Sequence, residues 1–117
     1  GYPWRFTQFR KTHGYANMPL DGIWLRAPYL HNGSVPSLRD LLEPAARRPK
    51  VFWRGNDVFD PHKVGFVSDQ PEAQGRALFR LDTAEPGNGN GGHEGRAYGT
   101  ELSADDKLAL VEYLKTF

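Results

Sequence analysis

Thirteen glycines and nine prolines among 117 residues cut this chain into short pieces, so irregular backbone and long loops are the first expectation. The densest piece is residues 19–34, which packs Ile23, Trp24 and Leu25 with Arg26, Tyr29 and His31 between Pro19, Pro28 and an Asn32-Gly33 turn. A plain surface loop rarely carries that many constrained and reactive groups, and the residue types suit the wall of a buried ligand site. A chain of this length makes one domain with a core of modest relative size, so a bound cofactor would matter to it.

Charge excludes some partners. The 15 Lys and Arg are scattered among 14 Asp and Glu for a net charge of +1, which leaves no basic field for nucleic acid. No run of about 18 apolar residues is present to span a membrane. Zero cysteines exclude disulfides, zinc–thiolate sites and thiol catalysis within this chain. The chain opens abruptly at Gly1-Tyr2-Pro3-Trp4, with aromatics already present, which suggests a domain or fragment whose upstream partner lies outside it.

Taken in order, residues 1–18 interleave Trp4, Phe6, Phe9 and Tyr15 with basic residues. Their spacing fits neither the helical nor the strand period, so an irregular or short helical lead-in is expected. Met18, the sole methionine, could offer a thioether to a soft metal, although a lone Met more often fills a gap in a core. Beyond Gly33, Ser34 and Pro36 can open a short amphipathic helix that presents Leu38, Leu41 and Leu42 and stops at Pro44.

Residues 45–86 change texture. Short apolar bursts, Val51-Phe52-Trp53, Val64-Gly65-Phe66-Val67 and Leu78-Phe79-Arg80-Leu81, alternate with turn formers and read as short strands. They are expected to form an excursion over a mainly helical core. Residues 87–99 then hold six glycines around His93. Gly87, Gly89 and Gly92 match a dinucleotide-binding spacing, but no helix opens behind them as that motif requires. What remains is a histidine on a segment whose glycines let backbone approach something closely.

The chain closes on a clear helix: Ser103 as N-cap, Asp105 and Asp106 in the first turn, Lys115 near the end, and a stripe of Leu110, Val111, Leu114 and Phe117. The expected architecture is therefore mainly α with extensive irregular loops and a few short strands, in a single domain over residues 1–117.

Pro28-Tyr29-Leu30-His31-Asn32-Gly33-Ser34 before a leucine-rich turn, and a Gly-rich His loop leading into Leu102-Ser103-x-x-x-Lys107 and Tyr113-Leu114-Lys115, resemble the C-terminal haem domain of the bacterial di-haem cytochrome c peroxidase superfamily. The rubber-oxygenase-like branch is the nearest in look. The resemblance covers residues 14–44 and 86–117. It implies the C-terminal part of a class I cytochrome c-like domain, with the Cys-x-x-Cys-His segment that binds haem c lying upstream and a distal iron ligand on the loop before the last helix. His93 stands at that place, with Met18 as the alternative metal ligand.

Carried onto this chain, the resemblance puts Ile23, Trp24, Arg26, Tyr29 and His31 along the porphyrin edge. Arg26 and Pro28 fall where relatives offer carbonyls to calcium. A guanidinium is unwelcome beside a cation, so Arg26 is better suited to a haem propionate. Tyr29 and His31 could bond propionates or simply structure the wall.

The implied role is electron transfer within a periplasmic or secreted bacterial peroxidase- or oxygenase-like protein, with the upstream haem domain and a redox protein as partners. This chain alone is expected not to be catalytic. The alternative is a haem-free interaction or scaffold domain of the same fold. Without haem, the wall and the His loop are expected to be loosely packed or paired with another copy of the chain.

Overall fold

The computed structural model describes residues 3–4 and 10–117, and the lead-in expected around Phe6 and Phe9 lies outside the described residues. The chain is not mainly α. Among the described residues helix, 3-10 turns included, accounts for 22% and strand for 17%, because glycine and proline leave room there for only one long helix. That helix, α2, runs Ala104–Leu114. The other helix, α1, is a single turn at Leu38–Leu41, and 3-10 turns occupy Ile23–Leu25, Ala45–Arg47 and Arg96–Tyr98.

The apolar bursts find partners. Strands β1 (Val51–Arg54) and β6 (Phe79–Asp82) pair antiparallel, with Phe52 opposite Leu81 and Arg54 opposite Phe79. The hairpins β2 (Phe59–Asp60) with β3 (Gly65–Phe66), and β4 (Glu72–Ala73) with β5 (Arg76–Ala77), complete three separate two-stranded sheets among the described residues.

Both helices are capped from the sequence positions nearest the expected ones. Ser103 accepts from the Asp106 amide, as its place before the acidic first turn implies. For α1 the cap is Ser37 rather than Ser34: Ser37 Oγ accepts from the Asp40 amide and donates to Asp40 Oδ2, closing a reciprocal cap. Burial raises the Asp40 pKa above the ordinary carboxylate value, an effect that the Ser37 bond and Lys63 partly oppose.

One core joins these parts. Tyr29, Val35, Leu38, Leu42, Val64 and Val111 are buried together, with Ile23, Trp24, Leu110 and Leu114 packed against them. Each such side chain contributes roughly 1.5–3 kcal/mol when fully buried. The C-terminus clasps the opening wall, since the Gly22 amide donates to the Phe117 carbonyl at 2.8 Å.

Val64 reaches this core from an unfavourable backbone, at φ 58°, a conformation that costs a β-branched residue about 1–2 kcal/mol. The β2–β3 loop enforces it. Asp60 Oδ1 accepts from the amides of His62 at 2.8 Å and Lys63 at 3.1 Å, and these bonds hold the Asp60 pKa below its ordinary value of 3.8. A depressed pKa means stability present above pH 3.8 and lost as pH falls through the lower folded-state value. The stability gap between wild type and Asp60→Asn in urea unfolding should therefore be larger at pH 7 than at pH 2, and a gap that does not shrink in acid would contradict this account.

Candidate functional site

The glycine-rich segment around His93 is strongly tethered, contrary to the loose packing expected of a haem-free chain. Asn32 Nδ2 donates to the carbonyls of Gly87 (3.0 Å) and Gly89 (2.9 Å), and Ser34 Oγ donates to Gly89 as well. Asn88 and Asn90 reach back to the carbonyls of Asp82 and Pro49. At the far end, Thr100 Oγ1 accepts from the Gly95 amide at 2.8 Å. The Asn-Gly turn of the opening stretch and the His loop are thus one assembly. Gly33 takes the positive φ, 65°, that the turn requires.

Its centre is Arg48. This side chain is only 2% exposed, and all five guanidinium N–H groups find carbonyls. Nε donates to Glu43 (2.9 Å), Nη1 to Asn90 (2.5 Å) and Gly92 (2.6 Å), and Nη2 to Leu41 (3.2 Å) and His93 (2.8 Å). Burial lowers the Arg48 pKa, while Glu94 and Asp40 favour its charged form.

With the carbonyls of Asn90, Gly92 and His93 turned toward Arg48, the His93 side chain is left outside. Its backbone is left-handed (φ 56°) and its ring leans on Tyr98 at 4.8 Å between centroids. Exposed, and with no hydrogen bond to either ring nitrogen among the described residues, the imidazole is open to a partner. Met18 is 72% exposed and fills no core gap.

The other wall residues do different things. Tyr29 is 5% exposed, belongs to the core, and donates its hydroxyl to the Ile23 carbonyl at 2.8 Å. Burial raises its pKa well above the usual phenol range. Trp24 packs edge-on to Phe59. Arg26 lies on the surface and donates to the Pro19 carbonyl at 3.0 Å. His31 is exposed, stacked on Tyr15 at 3.9 Å. Ile23, Trp24 and Tyr29 therefore close on the domain's own core. Among the described residues no group of three or more His, Asp or Glu side chains is arranged to hold a free metal ion.

Sequence reading missed Arg48, Asn32 and Ser34. Asn32 was legible as a turn former and Ser34 as a cap; nothing local separates Arg48 from its exposed neighbour Arg47. The available signal is compositional: a glycine loop presents many carbonyls and few donors, and arginine offers more donors than any other side chain.

Comparison with known proteins bears on the first part of this assembly. Residues 14–54 match the family model described as RoxA-like, cytochrome c-like. The chain is 50% identical over 108 residues to the uncharacterized protein y4iJ of Sinorhizobium fredii, covering 87% of this chain and 17% of that protein. It is 40% identical over 119 residues to the uncharacterized protein y4iM of the same organism, covering 88% of this chain and 27% of that protein. The chain thus spans under a third of the length of either relative. No solved structure matches it. Among the described residues no helix is long and apolar enough to cross a membrane. The family match supports a cytochrome c-like domain, and in coarse outline haem c binding and electron transfer.

Proposed function

We propose that this chain is the distal-ligand portion of an electron-transferring haem c domain, with His93 as the axial ligand. The exposed, unengaged imidazole on a loop braced by Arg48 carries the reading, and the cytochrome c-like match supports it. On this distal side the exposed imidazole of His93 fits an iron ligand, whereas Ile23, Trp24 and Tyr29 pack into the core. The residues do not fit covalent attachment, since the chain has no cysteine, so the thioethers and proximal histidine would belong to another segment.

Bound haem supplies a one-electron iron couple. His93 would donate a nitrogen lone pair to it, and an imidazole in place of a methionine thioether sets a lower potential. Exposed Met18 is the competing ligand. The larger protein would be a di-haem peroxidase- or oxygenase-like oxidoreductase, periplasmic or secreted, in which this part passes electrons from a redox partner to an upstream haem domain.

A haem c peptide that carries its own proximal histidine and an open sixth position tests the assignment. Added to the wild-type chain, it should give a low-spin Soret and visible spectrum, and His93→Ala should leave it high-spin while Met18→Leu and His31→Ala do not. Conversion to low spin by His93→Ala equal to wild type would remove His93 from the iron.

One observation favours a second reading, a haem-free interaction domain of this fold. The wall residue Tyr29 is packed with Val35, Leu38, Leu42, Val64 and Val111 in one buried core, with Ile23 and Trp24 against it. Failure of every variant and of wild type to alter the peptide's spectrum would select that reading.

A further inference from the structure

Among the described residues only two arginines are withheld from solvent exposure, Arg48 and Arg54. Arg48 has five acceptors. The Arg54 guanidinium has neither a hydrogen bond nor an ion pair among the described residues. Its place is specific: a Cβ built on Gly33 would lie 3.2 Å from Arg54 Nη1 and 3.2 Å from Pro28 Cγ, so the guanidinium lies against the Asn-Gly turn beside Pro28.

There it borders a cleft of about 580 Å³, within the range that encloses small ligands. Phe52, Trp53, Phe66 and Phe79 supply its walls, and the residues lining it include no Asp or Glu. Phe79 is 64% exposed at the mouth. A half-buried guanidinium without an anion, set in an aromatic cleft, is a cation awaiting a counter-charge in surroundings that repel a hydrated one. The planar fork binds a carboxylate through two parallel bonds. One guanidinium matches one negative charge, and the aromatic walls match an apolar body.

We propose that the cleft bordered by Arg54 and Trp53 binds an apolar molecule ending in a single carboxylate, its carboxylate paired with Arg54. The site is separate from His93 and does not rest on the haem reading.

Pyrenebutyrate and its neutral counterpart pyrenebutanol, titrated into the chain, test this by energy transfer from tryptophan. The carboxylate should bind about tenfold or more tightly than the alcohol, as a charge-assisted pair implies. Arg54→Gln should bring the two within about twofold of each other by removing that pair; Arg54→Lys should keep a preference for the acid. The comparison of the two probes in the wild-type chain needs no variant to fold. Equal affinities there, no saturable binding of either probe, or a preference that survives Arg54→Gln would overturn the proposal.

Discussion

Gly65→Ala is expected to lower stability by about 3 kcal/mol or more, in the upper range of point substitutions. For a domain of this size that is a fall in melting temperature on the order of 10 °C or more. Gly65 bridges to Ser37 across the join between β3 and α1. A Cβ there would sit 2.5 Å from the Pro36 carbonyl oxygen and 2.9 Å from Ser37 Cβ. These are main-chain or first-carbon positions, not the ends of flexible side chains. The added methyl group must push the backbone of Pro36 and Ser37, and that movement spoils the α1 cap and withdraws Leu38 from the core it shares with Val64 and Val111. Gly91 supplies the control, since nothing lies within 4 Å of a Cβ built on it; Gly91→Ala should shift stability by no more than about 0.5 kcal/mol. Thermal unfolding followed by circular dichroism would check the pair, and equal melting temperatures would refute the clash.

That close approach shows where the sequence was readable and where it was not. Local grammar was sufficient for α2, whose Ser103 cap, acidic first turn and leucine stripe all lie within one uninterrupted stretch. It also located β1, β3 and β6 from apolar bursts between turn formers. It overestimated helix, because α1 is limited by Pro36 and Pro44 to one turn and the excursion supplies paired strands instead.

The need for glycine at position 65 was not legible, since it comes from Ser37 and Pro36 across a tertiary contact. The candidate site divides in the same way. His93 could be singled out by its glycine-rich setting, and the structure places it on the surface. Wall residues Ile23, Trp24 and Tyr29 were recognisable as apolar and constrained, but their direction depends on which partner surface they meet. They meet the core that holds Leu38, Val64 and Val111. The tie between Asn32 and the carbonyls of Gly87 and Gly89 spans more than fifty residues, beyond the reach of any local pattern.

The same distance hid Arg48, whose replacement by methionine should have the other large effect. Methionine fills much of the volume and removes every donor. Five carbonyls, from Leu41, Glu43, Asn90, Gly92 and His93, would then face a buried space without partners. Losing one member of a buried, charge-assisted network costs about 3–5 kcal/mol, and each orphaned acceptor adds its own desolvation cost. Arg48→Lys should recover only part of this, because an ammonium has three donors and no planar fork.

The loss should be regional before it is global. Amide hydrogen exchange in residues 88–95 should accelerate most, while α2 keeps its protection, since Val111, Leu110 and Leu114 are anchored in the core independently. His93→Ala provides the contrast: the ring is exposed and its removal leaves the carbonyl bond to Arg48 intact, so stability should change by no more than about 0.5 kcal/mol. In the haem c peptide assay both Arg48→Met and His93→Ala should lose the low-spin spectrum, the first by releasing the loop and the second by deleting the ligand. Uniform exchange across the loop and α2 in Arg48→Met, or wild-type exchange in the loop, would show that Arg48 does not brace it.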